Sequence, residues 1–455
     1  MTGGASQPTQ KVARQMIRSL TRGTTVADAA RYIHVGHEKW ITAQRELFAE
    51  IADDGGSETK FVRGAYGSGK SHFLVVVQDI AREIGWATAH VECKVDGVQI
   101  DRFETLYPKI TEKLRASDLP ATIESSLDDM KTDPVRALLD RWSQKLLQAA
   151  GIRPDAISRP FDAPSRIYSN LERGLMKSNL PADFTKCLAS YVRATEAEDL
   201  ETTNAVVDWM KGGARKVRIP RHYLRRPVPG DARDNRECFD LRPLGAGTAA
   251  EALRGLLWLV RSAGYPGLIL CIDEVEELAK LPTRKRRDQA LQALREHVDN
   301  AGGDSGYQRL CLYLAATPAM FDDEEYFPRY DALQTRIHPI SEEINWRAPV
   351  IDLDRTPLDP REMKEMAKRI REVHVCAYGP GAATASPESL IEAFVEEVVR
   401  SRFRIAKPRL LARLVVDELE RARQALDLGR EYQAPSRIVD DVRQAAEAIS
   451  REVER

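Results

Sequence analysis

The chain has 455 residues, 43% hydrophobic and 30% charged, with 68 Lys and Arg against 69 Asp and Glu for a net charge of -1. These figures exclude a chain disordered throughout and a protein whose whole surface is a polycation, and they supply material for two or three packed units. The apolar runs, such as Phe73–Val77, are too short to cross a bilayer. No apolar segment follows Met1 as a secretory leader would. The six cysteines are scattered without a CxxC pair, so a reducing cytoplasm is expected and a disulfide framework or zinc knuckle is not.

In chain order, residues 1–9 read as a loose terminus. Helical spacing runs from Gln10 to Ile51, interrupted by the turn Ile33-His34-Val35-Gly36-His37-Glu38. Lys60–Arg63 reads as a strand, Ser71 to about Ile84 as an apolar helix and Ala87–Cys93 as a second strand, which opens a parallel α/β sheet. Residues 101–244 are rich in helix formers, charge and proline breakers, and predict a helical insertion. The sheet resumes with Leu268–Ile272, Leu310–Ala316 and Val350–Leu353. Amphipathic helices follow over 360–373, 387–400 and 408–426, and a last one over about 436–455. The expected division is 1–57 for the N-terminal helices and turn, 58–100 with 245–355 for the sheet core, 101–244 for the insertion and 356–455 for a helical C-terminal unit.

Gly64-Ala65-Tyr66-Gly67-Ser68-Gly69-Lys70-Ser71 fits G-x-x-x-x-G-K-[ST] without a mismatch and sits between a strand and a helix, as the motif requires. Glycines let the backbone turn its N–H groups toward a phosphate, and the helix beginning near Lys70 aims its positive end at the same anion. Lys70 can reach the β- and γ-phosphates of ATP, and Ser71 can bind Mg²⁺. His72 follows directly and is expected beside the phosphate helix. Ile269-Leu270-Cys271-Ile272 ends in Asp273-Glu274. Asp273 would hold a Mg²⁺-bound water and Glu274 would polarise the attacking water. Thr317, after the next strand, can bond the γ-phosphate or the lytic water, or simply cap a helix.

The order of parts resembles the AAA+ ATPases, in the branch of the origin-recognition and signal-transduction P-loop proteins. The resemblance implies a P-loop AAA+ parallel sheet flanked by helices, with a large helical insertion and a C-terminal all-helical lid. It also implies that the turn with Val35 touches adenine, with His37 where an arginine is usual. Ala332–Arg336 resembles the segment carrying the arginine finger, with Arg329 as its rival, and Ala406–Arg409 resembles the start of the lid helix carrying a sensor arginine. A closer likeness lies in Thr21-Arg22-Gly23-Thr24, Phe61 to Leu74 and Ala263 to Glu276, which are similar to the ATP-binding proteins of the BREX phage-defence systems. That family implies a cytoplasmic bacterial ATPase that forms a homo-oligomer, couples ATP and Mg²⁺ to assembly or remodelling of a defence complex, and works with a helicase, methyltransferase or other effector. The alternatives are a slow nucleotide switch that recruits an effector, and a DNA or RNA motor or clamp.

The segment Lys211–Arg226 holds seven Lys and Arg and no acid. It could contact DNA or RNA phosphates with Tyr223 available for stacking, meet an acidic protein face, or remain a solvated loop. Arg284–Arg287 reads as a solvated helix start or a pore-facing run. No winged-helix DNA-binding domain is expected after Arg409, which departs from the origin-recognition pattern. No HxxxH, HExxH or nucleophile elbow is present.

Overall fold

The computed structural model describes residues 7–24, 29–119, 133–149, 180–213, 215–223, 238–245, 248–301, 307–338, 343–401, 407–434 and 438–453. Helix α1 (Gln10–Arg22) is followed by α2 (Glu38–Asp54), strand β1 (Glu58–Arg63), α3 (Lys70–Glu83) and β2 (Ala87–Glu92). The 101–244 segment carries α4 (Phe103–Glu112), α5 (Pro134–Ala149), α6 (Ala182–Glu196) and α7 (Leu200–Met210), then β3 (Val217–Pro220) and β4 (Cys238–Leu241). The core resumes with α8 (Ala249–Ser262), β5 (Leu268–Asp273), α9 (Arg284–Ala301), β6 (Leu310–Ala316), α10 (Ala319–Asp322), α11 (Asp331–Ile337) and β7 (Val350–Asp352). The C-terminal part is helical: α12 (Pro360–Tyr378), α13 (Gly381–Ala385), α14 (Glu388–Arg400), α15 (Lys407–Asp427) and α16 (Ile438–Val453).

Among the described residues the main sheet has five strands in the order β2-β5-β6-β1-β7, all parallel. Register sets Glu92 beside Asp273 and Arg63 beside both Ala316 and Asp352, so the C-terminal strand ends share one edge. That edge is where open α/β sheets bind ligands. The strands read as apolar runs because both faces are covered. Phe61, Leu270, Leu312 and Leu314 face one layer; Val62, Ile269, Cys271 and Tyr313 face the other, against α2 and α3.

The insertion is not a detached module. Tyr107, Leu139, Phe184 and Trp209 share one continuous core with Ala89, Leu270 and Leu312. Nor is it purely helical: β3 and β4 pair antiparallel, Val217 opposite Leu241 and Pro220 opposite Cys238, with Ile219 and Leu241 fully buried. Four-residue strands are too short for a two-residue alternation to stand out in the sequence.

The N-terminal helices also divide. Helix α2 packs on the sheet side, with Trp40 and Phe48 beside Phe73 and Val76. Helix α1 instead joins the C-terminal helices, its Ala13, Met16 and Ile17 clustering with Met363, Ile370, Leu411 and Val415. Helix α12 begins at a full capping box, in which Asp359 accepts from the Glu362 N–H and Glu362 accepts from the Asp359 N–H.

Candidate functional site

The phosphate loop leaves β1 beside β6, where the Gly64 N–H meets the Ala316 carbonyl at 3.4 Å. The Ser68 N–H closes a turn onto the Ala65 carbonyl at 3.1 Å. A Cβ on Gly64 would lie 2.3 Å from Ser68 Oγ and force that hydroxyl aside, and Gly67 and Gly69 hold left-handed φ of +83° and +102°, which glycine adopts without strain. Gly69 is the N-cap of α3, whose first N–H groups have no partner within the helix and face the loop. Lys70 is buried and donates from Nζ to the carbonyls of Gly64 (2.9 Å) and Ala65 (3.3 Å). The Ala65 N–H donates to Asp354 Oδ2 at 2.8 Å, a partner the sequence did not single out.

Asp273 ends β5 at 1% exposure. Its Oδ1 accepts the Glu274 N–H at 2.8 Å; its Oδ2 makes no hydrogen bond and lies 3.8 Å from His90 Nε2. Burial alone would raise the Asp273 carboxyl, but His90, Ser71 and the Glu274 N–H outweigh it and hold the group below its ordinary value. Ser71 and Asp273 therefore share one locus. Glu274 takes a left-handed backbone, φ +55°, a conformation that costs a non-glycine residue about 1 kcal/mol or more. Burial, and then the charges of Asp273, Glu92 and Glu276, raise its carboxyl against the pull of Lys94.

A third acid, Glu276, stands in the 3₁₀ turn Val275–Lys280. Burial raises its carboxyl; Lys70 and the Thr317 N–H oppose that rise, so Glu276 lies between the loop lysine and the end of β6. Only the register of β5 beside β6 creates this neighbourhood, and no spacing in the sequence encodes it. Thr317 itself is not a side-chain cap: the N-cap of α10 is Pro318, and the Thr317 carbonyl accepts the Met320 N–H.

On the other flank, His72 Nε2 lies 3.2 Å from His34 Nδ1, with the rings stacked at 5.3 Å. His37 holds φ +61° and places Nε2 3.1 Å from the Thr356 carbonyl. Burial, before any neighbouring charge, lowers all three imidazoles, His72 to about 4, so they are neutral at pH 7. Val35 is buried within the cluster of α1 and the C-terminal helices. Arg409, at the start of α15, lies over the Tyr66 ring at 4.8 Å.

The structure thus gathers Gly64 to His72, Asp273, Glu274, Thr317 and Arg409. Arg336 lies against α9, paired with Asp299 at 3.2 Å, and Arg329 pairs with Asp288 at 2.9 Å on the same helix. In the basic segment Lys211 pairs with Asp133, and Lys216 and Arg218 with Asp240, while Arg225 and Arg226 lie outside the described residues. Tyr223 is not available for stacking: it is buried, and its hydroxyl donates to Asp199 at 2.8 Å. Arg286 pairs with Asp101, so the Arg284–Arg287 run is partly structural.

All six cysteines are free. Among the described residues no group of three or more His, Cys, Asp or Glu is arranged to hold a metal by itself, and no helix is long and apolar enough to cross a membrane. No curated protein matches the chain. The family model described as BREX system ATP-binding protein BrxC/D matches residues 9–434, which takes in the phosphate loop, both acids, the insertion and α15. The chain belongs to the BREX system ATP-binding proteins, and with that family come an ATP-binding role in phage defence and the other components of the system as partners.

Proposed function

We propose that this protein is an AAA+ ATPase that hydrolyses ATP with Mg²⁺ and uses the cycle to assemble or remodel its defence complex. The observation that carries the reading is the convergence, at one sheet edge, of Lys70 and Ser71 at the head of α3 with a low carboxyl (Asp273), a raised one (Glu274) and Thr317. A pair of acids pushed in opposite directions suits one to stay ionised and the other to accept a proton.

The residues present fit Mg²⁺: Asp273 is held ionised beside Ser71 and keeps a buried oxygen without a hydrogen bond. Ser71, and Asp273 through water, would hold the ion, which neutralises phosphate charge when bound. The loop N–H groups and Lys70 bind the β- and γ-phosphates. The Glu274 carboxylate takes the proton from the attacking water, and the Thr317 hydroxyl orients that water or the γ-phosphate. Helices α12 to α16 serve as the lid, and Arg409, already against the loop, supports that role. In a homo-oligomer Arg336 would exchange Asp299 for a neighbour's γ-phosphate. The free cysteines suit the cytoplasm. DNA binding has less support, since much of the basic segment is already paired with acids.

The test compares Lys70→Ala and Glu274→Gln with wild type, reading ATP affinity with a fluorescent nucleotide and steady-state turnover across protein concentration. Lys70→Ala should abolish binding. Glu274→Gln should keep binding and lose about 10²- to 10⁴-fold in turnover. Unchanged turnover in Glu274→Gln sinks the hydrolytic assignment.

A further inference from the structure

Thr21-Arg22-Gly23-Thr24 closes α1, far in sequence from the phosphate loop. In the fold it reaches the site through Arg409. Gly23 closes α1 in a left-handed conformation, φ +71°, its N–H on the Leu20 carbonyl at 3.0 Å and the Thr24 N–H on the Ser19 carbonyl at 2.9 Å. A Cβ on Gly23 would stand 3.0 Å from an Arg409 Nη and 3.4 Å from Nε. The same guanidinium lies over the Tyr66 ring at 4.8 Å. Arg409 is therefore seated between the end of α1 and the tip of the phosphate loop. The partial negative charge at a helix C-terminus favours a cation there, and the face of a tyrosine ring does the same.

The tip is also tied through both backbone groups of Ala65. Asp354, on the connection from β7 to α12, accepts the Ala65 N–H, and the Ala65 carbonyl accepts from Lys70 Nζ. Ala65 and Tyr66 thus stand between the phosphate-binding lysine on one side and Asp354 and Arg409 on the other.

We infer that Gly23 and Tyr66 are positioning residues for Arg409, holding its guanidinium at the phosphate loop so that α1 and α15 together register the bound nucleotide. The inference rests on the proposed nucleotide site. Gly23 leaves the space, Tyr66 supplies the ring face, and neither is required to touch ATP. Losing the ring face, or adding a methyl at Gly23, shifts the guanidinium from this seat, and the nucleotide must then supply the cost of returning it, so affinity falls.

The experiment is a double-mutant cycle in the full-length chain. ATP dissociation constants with Mg²⁺ are measured for wild type, Tyr66→Ala, Arg409→Ala and the double variant, beside Tyr66→Phe, Gly23→Ala and Lys70→Ala. Thermal unfolding without nucleotide is followed for all. Tyr66→Ala and Arg409→Ala should each weaken ATP by about three- to thirtyfold, and the double variant should be no weaker than the poorer single. Tyr66→Phe, which keeps the ring face, should restore most of the loss. Gly23→Ala should mimic Arg409→Ala and lose its effect when combined with it. Additive losses, or a Tyr66→Phe loss equal to that of Tyr66→Ala, overturn the inference while Lys70→Ala still confirms the site. Wild type that binds ATP no better than Lys70→Ala overturns the nucleotide reading itself, and this inference with it.

Discussion

His72 offers a test of the junction beside the phosphate helix. Its imidazole is buried, then further disfavoured as a cation by His37, and its proton affinity falls from the ordinary 6.5 to about 4. The unfolded chain takes up a proton as pH drops through 6.5, while the folded chain does not until about 4. Stability is therefore intact above 6.5 and lost between 6.5 and about 4. At about 1.4 kcal/mol per tenfold change in proton affinity the full loss is about 3 kcal/mol, of which about 2 kcal/mol has accrued by pH 5. His34 adds to it: burial, His72, His37 and Arg369 all depress its imidazole, and Arg369 donates to its carbonyl. His72→Gln removes one proton site and relieves the other. Urea unfolding by tryptophan fluorescence at about pH 7.5 and about pH 5 reads the difference. Wild type should lose about 2 kcal/mol more than His72→Gln between the two conditions. Equal losses would refute a neutral, buried His72.

Because burial, and then its acidic neighbours, raise Glu274 above the ordinary 4.5, wild-type turnover should fall on the acid side with a midpoint above that value; a pH–rate profile whose limb lies at 4.5 or below contradicts the assignment. Gly64→Ala sets a methyl 2.3 Å from Ser68 Oγ, so that hydroxyl must turn away within the loop; ATP binding should weaken by about tenfold in a fluorescent-nucleotide titration with the thermal unfolding curve little changed, and unchanged affinity contradicts the loop's role. Gly255→Ala places a methyl 2.4 Å from the Phe184 ring, where α8 meets α6, and should cost about 1–3 kcal/mol of stability in urea unfolding; no change would separate the insertion from the sheet core.

The phosphate loop was legible because its chemistry is local: eight consecutive residues supply the turn, the lysine and the hydroxyl. The buried strands were legible because apolar runs such as Leu268–Ile272 have few other fates. What escaped depends on the register of distant segments. Glu276 gains meaning only from Lys70 and Thr317, and Asp354 only from the Ala65 N–H, which it reaches across 289 positions. Helix α1 shows an apolar stripe in sequence, but a stripe does not say which surface covers it, and it proved to be the C-terminal helices. The short β3–β4 pair lay hidden in a segment dominated by helix formers.

The chain crosses between the sheet and the C-terminal helices at two places, through the turn at residues 33–37 and through the connection at residues 353–359. These crossings touch: His37 Nε2 lies 3.1 Å from the Thr356 carbonyl, and Trp40 Nε1 donates to Thr356 Oγ1 at 3.2 Å. Two spaced crossings would fix an axis like a door on paired hinges; two adjoining ones make a single pivot. Asp354 ties the phosphate loop next to that pivot. Helix α15 has 21 residues and extends about 30 Å, so a turn of about 5° at its loop end carries the far end through about 3 Å. If the C-terminal helices turn as one body in the proposed cycle, a small displacement of the loop tip would arrive enlarged at the far end of α15.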